Sequence, residues 1–399
     1  MNFKPSASAL GLVAVDHFDY IIAGAGAAGL SLAWQISQSP QLADKTVLLL
    51  DQEQEVKNDR TWSFWAEKEM EIFPDLLYRS WDQIQFLTPE RNLNLHMGNY
   101  RYHLIRGEDY HRQLREKLGQ EEHFVFRQAR IEDLGSDAQG GWVKSEAKTY
   151  TSSYVFSSLY EKPSAERLKG HIYLLQHFVG HVVRSKEAVF DIHRPVMMDF
   201  RVPQLNHPTF MYLMPFSAHE ALVEYTLFSP QTLEPSAYEE AIRAYLKTYY
   251  ALEEYEVLHE ERGAIPMTDY AFPSGDDQAV VNIGTAAGMS KASTGYTFYR
   301  IQKHSRNIVH QLERGQSPAL AQQQSSWKLK MDKLMLHLML KEGNDTWKIF
   351  QVLFENNPIH RVLSFLNEET GYFEDLLIMN SVPSAPFIRA VMETGWKFS

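Results

Sequence analysis

Gly24, Gly26 and Gly29 stand in the run G-A-G-A-A-G directly after the apolar stretch Phe18–Ala23, and Asp51 closes a second apolar stretch, Val47–Leu50. A dinucleotide-binding turn needs one glycine for the tight bend, one where the backbone meets a pyrophosphate, and one where helix and strand touch. A helix opening at Ala27 and Ala28 offers unpaired N–H groups and the positive end of its dipole to that anion. Asp51 lies at the separation of an acid that grips the adenosine ribose 2′-OH, which favours FAD or NAD over a 2′-phosphorylated cofactor. Glycine turns before helices are common, but here strand, helix and acid agree, and the spacing predicts a bound ADP moiety.

A second glycine-rich strand end lies far downstream. Ala279–Gly284 reads as a buried strand, followed by Thr285, Ala286, Ala287 and Gly288. A helix with Phe298, Ile301, Ile308 and Leu312 on one face then runs to Gly315. Between the two, Asn58–Trp65 mixes polar groups, Arg60 and Thr61 among them, with Trp62, Phe64 and Trp65. It reads either as a loop packing aromatics on a core or as one lining a planar, polar-edged ligand.

Regular elements must hold these residues in place. The helix from Ala27 carries Leu30, Ala33, Trp34 and Ile36 and stops near Pro40, completing a β-α-β unit. Strand-like stretches at Phe124–Arg130, Trp142–Lys144 and Tyr154–Ser157, with Gly135, Gly140 and Gly141 among them, suggest a small antiparallel insertion beside the nucleotide-binding sheet. From Ile172 aromatic-rich strands follow at His177–Val183, Val189–Ile192, Val196–Val202, Phe210–Phe216 and Leu222–Phe228. They open a second domain with a broad sheet. Tyr238, Ile242, Tyr245 and Tyr249 recur at helical spacing, so Ser236–Leu252 is expected to cover that sheet as a helix.

A chain of 399 residues, 44% hydrophobic, is long enough for two domains and a large core. Lys plus Arg total 39 against 50 Asp plus Glu, a formal charge of -11, which argues against non-specific nucleic-acid binding. The absence of cysteine excludes disulfides, thiolate metal sites and cysteine nucleophiles, and permits a reducing compartment. No apolar run reaches the roughly 18 residues of a membrane-spanning helix. Residues 1–17, with the apolar Ala9–Val15, read as an extension rather than a cleaved signal peptide.

Four passages together resemble the FAD-dependent lycopene β-cyclases of bacteria, over nearly the whole chain: Phe18–Gly29, Asn58–Trp65, Phe210–Thr226 and Gly284–Phe298. In FAD enzymes of the hydroxylase and glutathione-reductase-like class, the second strand end carries an Asp on the flavin ribitol. Thr285 stands there instead, as is usual in the cyclase family, and its hydroxyl can still hydrogen-bond a ribitol OH. Ala292, where many members have Pro, and Asp59, where several have His, are mild departures. The implied fold is α/β (α+β, two-domain), with a Rossmann-like FAD-binding domain of the p-hydroxybenzoate hydroxylase/glutathione-reductase-like class. Its expected parts are a 1–17 extension, 18–165 plus 260–315 for FAD, a 166–259 β-sheet substrate domain, and a 316–399 helical region at the membrane and substrate pocket. The resemblance assigns Gly24, Gly26, Ala27, Ala28, Gly29, Asp51, Arg60, Thr61, Trp62, Gly284, Thr285, Gly288, Ser293, Thr294 and Gly295 to the cofactor, and no residue to a metal.

The activity implied is redox-neutral cyclisation of lycopene end groups, with reduced FAD as the active cofactor and NADPH as reductant. Such a reaction needs a carboxylic acid protonated near neutral pH, a means of stabilising carbocations, and a dry apolar tunnel. The family's essential acid falls at Glu224, which strand alternation places on one face with Leu222, Thr226 and Phe228. Apolar surroundings raise a carboxyl pKa by desolvation, whereas on a solvent face the same residue would be inert. Asp199, in Met197–Arg201, matches a family motif and is expected either to hold or relay the proton or to pair with Arg201. Aromatic faces, Trp62 and Trp65 among them, and the reduced flavin are the two sources of cation stabilisation. Phe365–Thr370 echoes an acidic passage of plant relatives, but lacks the strand context and is assigned no catalysis. Two rival activities fit the same fold: an FAD-dependent monooxygenase acting on an apolar substrate, and a carotenoid-binding flavoprotein without turnover.

Because lycopene resides in the bilayer, a peripheral protein on the cytoplasmic face of the inner membrane is expected. Trp327–Lys341 suggests how. Lys330, Lys333, His337 and Lys341 form a polar stripe beside Trp327, Met331, Leu334, Met335, Leu338 and Met339, which is either an interfacial helix on anionic lipid or a core helix with a basic edge.

Overall fold

The computed structural model describes residues 16–53, 60–67, 73–146, 148–274, 279–321 and 325–394. The N-terminal extension up to residue 15, and Asn58 and Asp59 of the aromatic passage, lie outside them. The chain runs β1 (Asp16–Ala23), α1 (Ala27–Ser37), β2 (Val47–Asp51), β3 (Thr61–Glu67), β4 (Arg79–Trp81), β5 (Gln83–Leu87), β6 (Asn92–His96), β7 (Tyr100–Arg106) and α2 (Gly107–Leu118). Next come β8 (Phe124–Gln128), β9 (Ile131–Asp137), β10 (Gly140–Ser145), β11 (Thr149–Ser157), β12 (Tyr173–Arg184), β13 (Val196–Asp199), β14 (Thr209–Pro215), β15 (Glu220–Ser229) and α3 (Pro235–Tyr250). The last part holds β16 (Glu256–Thr268), β17 (Val280–Asn282), α4 (Phe298–Glu313), α5 (Ser326–Glu342), α6 (Thr346–Asn356), α7 (Ile359–Leu366), α8 (Tyr372–Ser381) and α9 (Ser384–Thr394).

The first sheet has the order β8-β2-β1-β11, with all three pairings parallel. Its strands read as continuous apolar runs because both faces are covered: Ile22 and Leu49 pack with Leu30 and Ile36 of α1, while Ile21 and Leu48 pack with Val143 and Val155. On its outer side β11 is shared: its first half pairs antiparallel with β10, its last residues pair parallel with β17. The expected antiparallel insertion is therefore only β9 and β10. The segments around Phe124 and Tyr154 instead pair parallel in the main sheet, β8 at its edge and β11 inside it, a pairing that periodicity alone does not separate from a hairpin strand.

The second sheet has the order β16-β12-β15-β14-β13-β5-β6. It thus recruits residues from both before and after the span 166–259. Val189–Ile192, expected as a strand, is irregular, and Val196–Val202 shortens to β13. The remaining predicted strands form. One face of this sheet packs on α3 through Met211, Tyr225, Tyr245 and Ile242. The other joins β3, β7 and the C-terminal helices through Trp65, Tyr102, Tyr212 and Phe350. A third sheet, β3-β7-β4, makes the predicted loop around Trp62 a strand.

Candidate active site

A cavity of about 530 Å³ runs from the first glycine turn to the second sheet, lined by Gly26, Ala27 and Ala28 at one end and by Glu224 and Glu261 at the other. Gly24 adopts φ +97°, which only glycine takes without strain. At Gly29 a Cβ would overlap the carbonyl of Gly24, so helix and strand meet there. Gly26 is different: a Cβ placed on it meets nothing within 4 Å, because it faces the cavity. Asp51 accepts the Ala25 N–H at 2.6 Å and the Glu53 N–H at 2.9 Å, so it braces the turn as well as standing at its rim.

The second glycine-rich end closes against the first. Gly284 sits where a Cβ would come within 2.7 Å of Ala28 Cβ, and Gly284, Thr285 and Gly295 line the same cavity as Arg60, Thr61 and Trp62. Gln176, buried beside Gly295, has an Oε1 without a hydrogen-bond partner. An open glycine cradle at one end and an orphaned acceptor farther in fit a long, polar-edged dinucleotide such as FAD. Six residues assigned to the cofactor from the sequence do not line this cavity: Gly24, Gly29 and Asp51 shape the turn itself, and Gly288, Ser293 and Thr294 lie elsewhere. Ser293 donates to Asp332 at 2.6 Å, Thr294 lines a smaller cavity with Met331 and Phe365, and Gly288 borders a cleft with Arg300 and Glu368.

Glu224 lies at the inner end, 9% exposed, on a strand whose flanking residues are all buried. Its neighbour across β12 is Gly180, and Gly180 in turn pairs with Glu261 on β16. The two glutamates therefore share one row and one face, and the missing Cβ between them leaves them room to meet. A methyl on Gly180 would stand 3.3 Å from Glu224 Cβ and 3.2 Å from Glu261 Cγ. The carboxyls hydrogen-bond each other. Thr226 donates to Glu224 at 2.8 Å and Thr61 donates to Glu261 at 2.8 Å. Burial, and then the charge of the neighbouring Glu261, push the Glu224 carboxyl well above its ordinary value of 4.5, with the Thr226 hydrogen bond pulling the other way.

Tyr102, Tyr212 and Tyr296 line the cavity around Glu224, and the last two have their hydroxyls 3.4 Å apart. Burial keeps these phenols neutral, so they present π faces rather than charge. Trp62 lines the cavity and stacks on Phe298, whereas Trp65 turns away, edge-on to Tyr296 with its N–H on the Leu363 carbonyl.

Asp199 is not brought to this site. It shares a row with Met211 and Tyr225, one residue out of step with Tyr212 and Glu224, so it faces α3. There it is fully buried, bonded to Arg201 and to the Tyr245 hydroxyl at 2.8 Å. The ion-pair alternative holds, and a proton relay to the cavity does not. Sequence reasoning missed Glu261, which no local pattern marks; only the register of β12 against two partners joins it to Glu224. The acidic pair Glu368 and Glu369 is tied up with Lys291, Arg300 and Tyr299, as its lack of strand context suggested.

The apolar side of α5, beside its half-buried to exposed stripe of Lys330, Lys333, His337 and Lys341, proves internal. Lys328 is buried on Asp375 at 2.6 Å, Lys333 reaches Asp269 at 3.0 Å, and Met331, Leu334, Leu338 and Met339 are buried. With its apolar side packed inward, α5 fits a core helix with a basic edge, the second of the two readings.

A family model described as lycopene cyclase protein matches residues 19–392. The lycopene beta-cyclase of Pantoea ananas is 24% identical over 295 residues, covering 70% of this chain and 71% of that one. The lycopene beta-cyclase of Pseudescherichia vulneris is 23% identical over 387 residues, covering 92% and 95%. Among solved structures, a geranylgeranyl bacteriochlorophyll reductase-like protein of Thermoplasma acidophilum matches with a TM-score of 0.63 at 9% identity, covering 96% and 100%. A flavin-dependent brominase matches with a TM-score of 0.57 at 12% identity, covering 95% and 99%. At such identities the structural likeness establishes the fold, a Rossmann-like nucleotide-binding unit joined to a broad second sheet.

Proposed function

The chain belongs to the lycopene cyclase family, and on that premise we propose that it is a lycopene β-cyclase, converting the end groups of lycopene to β-ionone rings by way of γ-carotene to β-carotene. The observation that carries this is the placement of a buried Glu224, its carboxyl pushed well above its ordinary value by burial and by Glu261, in the same cavity as the dinucleotide turn. A flavin site alone would suit many oxidoreductases. A carboxylic acid held protonated among tyrosine faces suits proton-initiated cyclisation.

Glu224 donates its proton to C2 of the end group, leaving a cation at C1. The C5=C6 pair closes the ring onto C1, and loss of the C6 proton restores the double bond, so the carotenoid keeps its mass and no electrons are exchanged. Tyr102, Tyr212 and Tyr296 shield the cation from water and offer it π density. Gly26, Ala27 and Ala28 would hold the FAD pyrophosphate, and Gly284, Thr285 and Gly295, which line the same cavity, would hold the rest of the cofactor. When bound and reduced, FAD would supply negative charge to offset the cation; NADPH is the proposed source of its electrons.

Substrate delivery requires contact with a bilayer, on the cytoplasmic face of the inner membrane in this proposal. No helix among the described residues is long and apolar enough to cross one. A different surface takes the role first read into α5. Phe373 and Leu377 on α8 and Ile388 and Met392 on α9 are 81%, 55%, 58% and 70% exposed. The same two helices wall an apolar cavity of about 80 Å³ through Ile378, Met379 and Phe387, which Thr294 borders from the active-site side. Exposed apolar residues over an apolar cavity fit a lipid surface that yields a hydrocarbon.

The decisive experiment is incubation of the holoprotein with lycopene in liposomes under reducing, anaerobic conditions. A product of unchanged mass with a blue-shifted spectrum is expected. Gain of an oxygen atom, seen in a parallel aerobic incubation, would replace cyclisation with oxygenation, and bound but unaltered lycopene would reduce the protein to a carotenoid binder.

A further inference from the structure

We propose that Glu261 is a positioning residue for the reaction, sharing a single proton with Glu224 across the gap that Gly180 leaves in the sheet. The inference rests on Glu224 being the acid of the proposed cyclisation, and adds how that acid is kept loaded. Two carboxyls within hydrogen-bond reach and out of water cannot both ionise, so the pair retains one proton where an isolated surface carboxyl would have lost it. Each carboxyl accepts one threonine hydroxyl at 2.8 Å, Thr61 on Glu261 and Thr226 on Glu224, so both are held in place for the shared proton. Both glutamates line the cavity, and Glu224 is the one whose charge Tyr102, Tyr212 and Tyr296 feel, so it is the one placed to give the proton up.

Other titratable groups around the pair do not supply this effect. Tyr102, Tyr212 and Tyr296 are neutral. Glu260 and Arg262 flank Glu261 on β16 and pair with each other, and Glu260 also meets His181 of β12 at 3.3 Å. Arg60 precedes Thr61 at the cavity rim and is exposed. In the reaction one O–H bond on Glu224 breaks as C2–H forms, leaving a doubly ionised pair beside the carbocation. Loss of the C6 proton re-forms that O–H bond, so the pair ends as it began and no oxidant or reductant is consumed. Charge repulsion in the doubly ionised pair drives the recapture, and the nearby carbocation offsets it while the ring closes.

Four variants and two readouts test this on the FAD-loaded protein. Glu261→Gln keeps the Thr61 hydrogen bond but removes the charge, and Gly180→Ala pushes the two intact carboxyls apart. Both are expected to move the alkaline limb of the cyclisation pH profile to lower pH by about one unit or more, with flavin content unchanged. Glu261→Asp is expected to recover part of the shift. Infrared titration reads the same proton without turnover: a carboxylic-acid carbonyl band that persists above neutral pH, is lost in Glu224→Gln, and titrates at lower pH in Glu261→Gln. A limb and a band that stay in place in both Glu261→Gln and Gly180→Ala would overturn the proposal while leaving cyclisation by Glu224 standing. A band that moves as expected in a protein that forms no cyclised product would overturn the proposed function and leave the pair standing.

Discussion

Glu224 is costly to keep where it is, and that cost separates its role from a structural one. Its carboxyl holds a proton above its ordinary value of 4.5 in the folded protein and releases it near that value in the unfolded chain. Below that value both states hold the proton. Above it only the native state does, so stability declines as pH rises, until the native carboxyl also ionises. Glu224→Gln removes the titration and should be more heat-stable than the wild type at pH 8, with the gain vanishing near pH 4, as scanning calorimetry would register. The same variant should lose cyclisation by about 10²–10⁴-fold or more, since an amide cannot serve as the acid, and keep its flavin. A Glu224→Gln enzyme turning over lycopene at the wild-type rate would move the proton source elsewhere. At the other end of the cavity, replacing Gly26 with valine should leave the fold intact, because a Cβ there meets open space, yet empty the flavin site by occupying the pyrophosphate's position. Flavin absorbance after reconstitution with FAD measures it; full occupancy would mean the turn does not hold the pyrophosphate.

At the scale of elements, sequence pattern was informative where an element's meaning is local and misleading where a distant partner decides it. The turn at Gly24–Gly29, the strand carrying Glu224, and the helices α1, α3 and α4 were all legible, because turn chemistry and periodicity are written in consecutive residues. Asp199 looked like a second active-site acid because a short motif does not reveal strand parity, and one step of register sends it to α3 instead of the cavity. Glu261 was silent for the converse reason: it reaches Glu224 only because β12 lies between β15 and β16 with a glycine at the crossing. Helix α5 read equally well as a lipid-facing amphipath, since no helical wheel shows that Lys328 meets Asp375 and Lys291 meets Asp332 across more than forty positions of chain. These buried pairs fasten α5 to α8 and to the segment after the second glycine turn. Lys328→Met leaves Asp375, which is fully buried, with only Thr370 and Trp327 as side-chain donors. It should cost about 3–5 kcal/mol in urea unfolding. A loss below about 1 kcal/mol would show that the pair does not hold the helices together.

The whole molecule sets its two chemistries at opposite ends of one cavity, with the nucleotide turn on the parallel sheet and the acid on the antiparallel one. That division was legible in the shift from glycine-punctuated apolar runs to aromatic strands; the crossing of β5, β6 and β16 into the second sheet was not, because long-range pairing leaves no local mark. It also leaves the C-terminal helices as the remaining wall, and the surface they turn outward decides how a water-insoluble polyene reaches Glu224. If α8 and α9 are that surface, Phe373→Ser with Met392→Ser should weaken flotation with liposomes and slow cyclisation of liposome-borne lycopene, while leaving flavin content and unfolding midpoint nearly unchanged, since both side chains are already exposed. Lysine changes on α5 give the contrast. Lys330→Glu reverses a charge on a helix whose apolar side is packed inward and should leave lipid affinity alone, against about 1 kcal/mol lost for a basic residue resting on an anionic surface. Detergent-dispersed lycopene completes the argument. A variant impaired only on liposomes has lost access to the bilayer, and one equally slow in detergent has a damaged cavity, which would remove α8 and α9 from the entry route.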